Sequence, residues 1–473
     1  MQCSRPLESG CPVVAVIGGG ASGTLAAVHL LRLAAPAGAE LRVLLIDRDG
    51  RHGLGRAYST THPDHLLNSP AETMSAVSGD STHLTRWARA AGIAPSGFLA
   101  RRDYGRYLRD LLTGAERNAQ SVVRLSRVSA EVVAVRQVAA KRPLRLRLGN
   151  GGLIDADYAV LATGNLPPQA PCPVPRDRYI ADPWAPGALD GVADGSPVIV
   201  LGTGLTMIDV AIAVTDADPR ATVHAVSRRA LLPREHQSRP GPDWPAWRPS
   251  RALTESGEPL RLAELVRYVR TAAEAHPGGW ADVVDGMRPY IPGLWQRLPD
   301  EDKDLFLSRY ARYWEVHRHR VPPASARRVA ELRRAGRLRL LRGRVSSVRD
   351  IRGSVVARLD ADGARTEIRA GWLVNGIGPA ADVASAADPL LRDLIACGLA
   401  RPDEVRLGLD ADASGAIIDA SGNPSDRLFT LGPPLRGSRY ETTAIPEIRD
   451  QAAAVARRLI SVSSPAQRAG SAA

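Results

Sequence analysis

Seven short apolar runs punctuate the chain: 12–17, 41–46, 156–161, 197–201, 222–226, 372–375 and 428–431. They are continuous rather than alternating, as expected of parallel strands buried on both faces. Helical periodicity follows the first run over Thr24 to Ala34 and the fourth through Val214, and it recurs after Tyr107, over Leu260 to Ala275, over Asp300 to His317 and over Thr443 to Ile460. Two stretches alternate apolar and polar instead, 126–148 and 337–368, and predict antiparallel meanders. Asn150-Gly151-Gly152, just after the first of these, is a turn signal. Strands that alternate with helices predict an α/β protein built from βαβ units.

The punctuation divides this pattern. Residues 1–190 read as the first part of one nucleotide-binding domain, with a proline-rich crossover at 167–186. Residues 191–230 read as a Rossmann-like half of a second domain. Residues 231–330 hold five of the eight tryptophans and read as a helical insertion, the expected substrate region. Residues 331–464 return to the second and then the first domain and end in a helix. The small and polar residues 465–473 read as a disordered tail.

Composition narrows the partners. The chain has 473 residues, 44% hydrophobic, with a formal net charge of +12. Only Lys141 and Lys303 are lysines, so the positive charge is arginine spread over the whole length rather than a patch for nucleic acid. No apolar run reaches the length of a membrane span. Residues 1–12 lack a basic start before an apolar core, so no signal peptide and a cytoplasmic location are expected. The cysteines, Cys3, Cys11, Cys172 and Cys397, form no Cys-x-x-Cys and no disulfide framework.

The sharpest chemistry follows the first strand. Gly18, Gly20 and Gly23, with Ala21 and Ser22 between, make G-x-G-x-x-G. The first glycine turns, the second admits a pyrophosphate, the third lets helix and strand pack, and the helix N-terminus faces the phosphates. The second strand ends in Asp47, an acceptor for ribose hydroxyls, followed by Arg48. The third ends in Ala162-Thr163-Gly164, which lets the chain pass close to a ligand. A second start, Gly202-Thr203-Gly204, has Met207 where the third glycine belongs. Its next strand ends in Ser227-Arg228-Arg229, where a hydroxyl and two guanidiniums suit the 2′-phosphate of NADPH rather than NADH. The alternative is a structural repeat that binds nothing. The segment Trp314 to Arg320 alternates His and Arg. His317, Arg318 and Arg320 are candidates for holding an anionic group, or else Arg318 and Arg320 pair with acids at a domain interface. No metal spacing is present there, and no metal is expected.

Taken together, these pieces resemble the two-dinucleotide-binding-domain flavoproteins. The resemblance is closer to the bacterial FAD/NAD(P)-binding proteins of the YdhS type. It is carried by the Gly18–Gly23 fingerprint, Gly55-Arg56-Ala57-Tyr58 with His65 to Ala71, Tyr104-Gly105-Arg106-Tyr107-Leu108, Gly202 to Met207, Ser227 to Arg229 and Trp314 to Arg320. It implies a three-layer ββα FAD domain split by an NAD(P) domain, with FAD at the first fingerprint. Asn68, in the long loop 48–76, would then bond the flavin edge. Gly432 and the C-terminal helix would face its N1–O2 side. Distant relatives include flavin-dependent N-hydroxylases and the Baeyer–Villiger and flavin-containing monooxygenases. The F-x-G-x-x-x-H-x-x-x-W/Y-P pattern of those last two groups is absent here. Tyr179 to Trp184 stands in its place without the histidine.

Three activities compete. The first is a single-component monooxygenase that uses a flavin C4a-hydroperoxide on a small amine or amino-acid-like nucleophile. The second is an NAD(P)H reductase for a quinone or partner protein. The third is a non-catalytic flavin- or nucleotide-binding protein.

Overall fold

Strand Val13–Ile17 is buried along its whole length because neighbours flank it and layers cover both its faces. In the computed structural model, which describes residues 11–119, 122–137, 143–192, 194–237, 246–380 and 382–463, it lies parallel between Leu41–Asp47 and Tyr158–Leu161. The full sheet runs Ala416–Ile418, Pro424–Thr430, Tyr158–Leu161, Val13–Ile17, Leu41–Asp47, Val123–Ser129. Val14 and Val16 point into a core shared with helices Ala21–Ala34, Arg101–Ala119 and Ile445–Ser463. Val13, Ala15 and Ile17 point the other way, toward a meander of Val132–Gln137, Leu144–Leu148 and Leu153–Ala156 and helix Pro389–Ala396. The two-residue period of a strand thus splits one apolar run between two cores and yields three layers.

A second unit repeats the plan. Its parallel sheet runs Leu338–Arg342, Val223–Ser227, Val198–Leu201, Trp372–Asn375, Tyr179–Ile180. Val198 and Val200 face helices Leu205–Ala217 and Pro323–Arg334, while Ile199 and Leu201 face the meander Arg344–Ile351, Ser354–Ala361 and Ala364–Ala370. The chain joins this sheet at Tyr179, earlier than the expected start of the second domain at 191, because two residues of the proline-rich crossover pair with Leu373 and Val374. The fold is therefore α/β, with two Rossmann-like dinucleotide-binding units, the second inserted in the first.

The tryptophan-rich stretch forms a helical cluster. Its helices are Leu262–Ala275, Gly279–Met287, Ile291–Arg297, Asp300–Leu305 and Ala311–Arg318. The helix expected over Asp300 to His317 is interrupted by a π-helical segment, Phe306–Tyr310. Met287, Leu294 and Trp295 build a core that takes in Tyr440, Val405 and Leu407 of the first unit. The Trp295 ring stacks on Tyr440 at 4.8 Å, and its indole N–H donates to the Gly437 carbonyl at 2.6 Å. The cluster is fastened to the segment just ahead of the last helix. Trp244 and residues 464–473, with the expected tail, lie outside the described residues.

Candidate functional site

The first glycine loop is shaped by contacts that exclude side chains. Gly18 has φ +109°, and a Cβ there would stand 2.3 Å from the Ala162 carbonyl oxygen. A Cβ on Gly23 would stand 1.7 Å from the Gly18 oxygen. Helix Ala21–Ala34 begins at Gly20 with no side chain capping it, so the N–H groups of its first turn stay available to an anion. A second glycine pair closes over the loop. The Gly53 N–H donates to the Gly19 carbonyl at 2.9 Å, and a Cβ on Gly55 would meet Gly20 Cα at 2.9 Å. Gly432, at φ +74°, lies so close to the Ser22 hydroxyl that a Cβ would come within 2.8 Å of it. Thr163 and Gly164 pass alongside, with the Thr163 nitrogen 3.3 Å from a Cβ placed on Gly18. A pyrophosphate fits this cradle because glycine backbone and uncapped N–H groups form it.

Asp47 does more than wait for a ribose. Its Oδ2 accepts from the Gly19 N–H at 3.0 Å, and its Oδ1 from the Asp49 and Arg51 N–H groups at 3.0 Å each. A carboxylate has about four acceptor positions, so Oδ2 keeps room for a hydroxyl while the residue also knots the loop. Arg48 points away and pairs with the exposed Glu131 at 3.2 Å. The structure therefore does not bring it to the cradle.

The second unit repeats the cradle with differences. Gly202 has φ +100°, and a Cβ there would stand 2.6 Å from the Gly376 oxygen. Helix Leu205–Ala217 starts uncapped at Gly204, whose Cβ position is open. Met207 is fully buried in the core of the unit. The Thr203 hydroxyl donates to the Leu231 carbonyl at 2.6 Å and so can only accept from Ser227, 2.9 Å away. Ser227 in turn accepts from the Ala230 N–H at 3.0 Å. Its one hydroxyl proton is directed to Thr203 in this arrangement. Arg229 lies over the Tyr313 ring at 5.1 Å.

The two units meet at a buried polar join that the sequence did not announce. Arg101, on a first-unit helix, pairs with Asp209, on the glycine-loop helix of the second, at 2.8 Å. His65 Nε2 lies 3.0 Å from the Asp209 carbonyl, and His65 Nδ1 lies 2.7 Å from the Thr60 hydroxyl. Burial pushes Asp209 up to about 6 despite the opposing Arg101 charge. Burial, with His62 adding to it, pushes His65 down to about 4. At neutral pH this is an ion pair beside a neutral imidazole. Nearby, His62, Asp64 and Asp216 bring three ligand-type atoms within 4.8 Å, but both acids are exposed and His62 already pairs with Asp216 at 3.6 Å.

A cavity of about 1660 Å³ opens between the first unit, the insertion and the start of helix Pro323–Arg334. Asn68 lines it, as do Thr430, Gly415 and Gln451. His236 closes one side, its ring nitrogen 2.9 Å from the Asn68 carbonyl. Arg318 and Arg320 also line it, and His317 does not. The His317 ring is turned onto Trp280 at 5.1 Å, because a helix that ends at Arg318 sends adjacent side chains in different directions. The expected pairing with acids is present, across to the first unit for Arg318 and within the insertion for Arg320. Arg318 faces the cavity and pairs with Glu441 at 3.0 Å, and Arg320 faces it and pairs with Asp285 at 2.6 Å. Trp314 donates its indole N–H to the same Glu441 at 3.2 Å. Arg288 holds Glu447 through two bonds of 2.5 and 2.6 Å. Arg288 and Glu447 carry no motif, so the sequence offered no signal for them.

Two glycine cradles, each at the end of a largely parallel sheet, define the architecture of two-dinucleotide-binding-domain flavoproteins. Comparison with known proteins agrees. Residues 15–166 match the family model described as FAD-NAD(P)-binding. No curated protein matches the chain. Among solved structures it is similar to the ornithine N-hydroxylase KtzI of Kutzneria sp. 744, at 15% identity and TM-score 0.63 over 96% of this chain and 100% of that one. It is also similar to DfoA, the cadaverine monooxygenase of Erwinia amylovora solved with FAD, at 14% identity and TM-score 0.64 over 96% and 95%. A third is the ornithine hydroxylase PvdA of Pseudomonas aeruginosa, at 14% identity and TM-score 0.63 over 95% and 99%. At such identities the likeness is one of fold. No described helix is long and apolar enough to cross a membrane.

Proposed function

We propose that this protein is an FAD- and NADPH-dependent monooxygenase acting on a small amine or amino-acid-like substrate. The observation that carries the reading is the pair of uncapped glycine-loop helices, one per unit, in a fold that also holds a large cavity between the first unit and the insertion. The solved structures of like fold hydroxylate ornithine or oxygenate cadaverine, which supports the choice. FAD supplies the hydride acceptor and the activation of O2. The protein supplies orientation, a shielded cavity and fixed charge.

In this reading Gly18, Gly20, Ala21, Ser22 and Gly23 hold the FAD pyrophosphate and Asp47 the ribose. Thr163, Gly164 and Gly432 border the flavin, and Asn68 bonds its edge. Gly202 and Gly204 receive the NADPH pyrophosphate. Arg228 and Arg229, with the Ser227 hydroxyl between them and Thr203, take the 2′-phosphate. Arg318 and Arg320 face the substrate from the insertion. The use of NADPH fits a cytoplasmic location.

The test is rapid mixing of the purified yellow protein with NADPH and then with oxygen, followed by turnover with candidate amines. Bleaching of the flavin by NADPH, and NADPH consumption that rises with an amine and yields a hydroxylated product, is the expected result. A colourless protein that cannot be reconstituted with FAD would overturn the reading. Fast quinone reduction without oxygen uptake would replace it with a reductase.

A further inference from the structure

The second unit does not furnish its Ser227–Arg229 strand end alone. The turn there is braced from within. The Thr203 hydroxyl donates to the Leu231 carbonyl at 2.6 Å, and the Ala230 N–H donates to the Ser227 hydroxyl at 3.0 Å. Ala230 stands at φ +50°, which alanine adopts only where its surroundings hold it. The turn presents Arg228 and Arg229, both exposed. Exposed arginines elsewhere meet acids, as Arg145 meets Asp155 at 2.8 Å and Arg401 meets Asp410 at 2.7 Å. Arg228 and Arg229 form no ion pair among the described residues. What holds Arg229 comes from the insertion. Its Nη1 donates to the Arg309 carbonyl at 3.4 Å, and its guanidinium carbon lies 5.1 Å from the centre of the Tyr313 ring. Arg309 belongs to the π-helical segment Phe306–Tyr310, and Tyr313 to the helix that follows, Ala311–Arg318. Trp314 and Arg318, one turn apart on that helix, fasten it to Glu441 of the first unit at 3.2 and 3.0 Å. Tyr313 projects in another direction and is 51% exposed, the most exposed aromatic side chain among the described residues.

We infer that Tyr313 is the residue through which the insertion selects a nucleotide bearing a 2′-phosphate. It is a positioning residue, and it acts through Arg229. This rests on the NADPH reading of the Ser227–Arg229 strand end, and it gives the insertion a part beyond the substrate cavity. An arginine on an exposed turn samples many rotamers, and binding a phosphate costs it that freedom. A ring against the guanidinium takes up part of that cost in advance. Cation–π attraction uses none of the five N–H donors of the group. One of them goes to the Arg309 carbonyl, and a bidentate phosphate contact needs two of the rest. A nucleotide without the 2′-phosphate gains nothing from an arginine held in this way. The selection therefore depends on two parts of the chain, a strand end of the second unit and a helix that is anchored on the first.

The experiment titrates the full-length protein by calorimetry with 2′,5′-ADP and with 5′-AMP, probes that differ only by the 2′-phosphate. The wild type is expected to bind 2′,5′-ADP roughly tenfold or more tightly, the size of one charge-assisted contact. Tyr313→Leu and Tyr313→Gln each remove the ring from a half-exposed position. Both should lower that preference roughly two- to fivefold, the worth of an exposed cation–π contact, and leave 5′-AMP affinity and flavin content unchanged. Tyr313→Phe keeps the ring and should keep the preference. Added to Arg229→Ala, Tyr313→Leu should cost nothing further, because its effect passes through the arginine. A preference that is unchanged or raised in the ring-less variants overturns the inference, and a raised one means that the ring draws Arg229 away from the phosphate. An equal loss in Tyr313→Phe, an equal loss of 5′-AMP affinity, or a further loss on top of Arg229→Ala overturns it as well. A wild-type protein that does not distinguish the two probes removes the 2′-phosphate from this strand end and takes the inference with it. Ring-less variants that distinguish them as well as the wild type overturn the inference alone.

Discussion

The two units share a plan and differ at the positions where a ligand is chosen. In each, a strand ends at a glycine of positive φ that backs onto a neighbouring strand end, and an uncapped helix follows. In the first unit the helix closes tightly on the loop, so that position 23 has no room for a Cβ. In the second, Met207 occupies the same step of the motif as a buried core residue. The first unit ends its second strand in Asp47, an acceptor. The second ends the matching strand in Ser227, whose proton is directed to Thr203, followed by two arginines. The first is further narrowed by Gly53 and Gly55 from above. The lesson is that one fold plan, repeated, carries an acceptor at one strand end and cations at the other.

This comparison is open to attack at several points. Gly23→Ala should have the largest effect. The new methyl would collide with the Gly18 backbone, which cannot yield cheaply, at about 3 kcal/mol or more, and the purified protein should lose nearly all its flavin absorbance. Met207→Ala should lower thermal stability but leave the flavin in place. Loss of flavin there would erase the distinction between the units.

Replacing both Arg228 and Arg229 with alanine should raise KM for NADPH by roughly a hundredfold, at about 1.5–3 kcal/mol for each charged contact, and leave KM for NADH nearly unchanged. Steady-state oxidation of the two nucleotides is the measurement. Equal losses would remove the 2′-phosphate from this strand end.

The join between the units is tested by pH. Asp209 titrates near 6 when folded and near the ordinary carboxylate value when unfolded, so the stability it confers is full at low pH and is lost as pH rises toward 6. His65 titrates near 4 when folded and near the ordinary imidazole value when unfolded, so its contribution is full at neutral pH and is lost as pH falls through 4. The two slopes oppose each other. Asp209→Asn removes one and should make thermal stability climb more steeply from pH 4 to 6 than in the wild type. The two curves should diverge by about 2–3 kcal/mol across that window. Parallel curves would mean that the Arg101–Asp209 pair is not the coupled element. The smallest effect belongs to Arg48→Ala. Its exposed pair with Glu131 is worth under about 1 kcal/mol, and flavin content should stay unchanged. A clear loss of flavin would return Arg48 to the cofactor site.

Much of this molecule was legible in its residue pattern. Apolar runs marked the inner parallel strands, because burial on both faces leaves few polar positions, whereas the edge strands Val123–Ser129 and Leu338–Arg342 alternate and were read into the antiparallel meanders although both pair parallel. Gly18, Gly20, Gly23 and Gly202 announced their turns, because positive φ and close backbone approach select glycine over short distances. The tertiary structure alone decided the rest. It set Arg48 against Glu131, joined the Ser227 hydroxyl to Thr203, turned His317 onto Trp280 and paired Arg318 with Glu441. It also brought Arg101 to Asp209 and Arg288 to Glu447, residues more than a hundred positions apart. Local sequence specifies backbone conformation and which face is buried. Which charges meet across a folded interior depends on how distant elements pack, and no spacing along the chain encodes that.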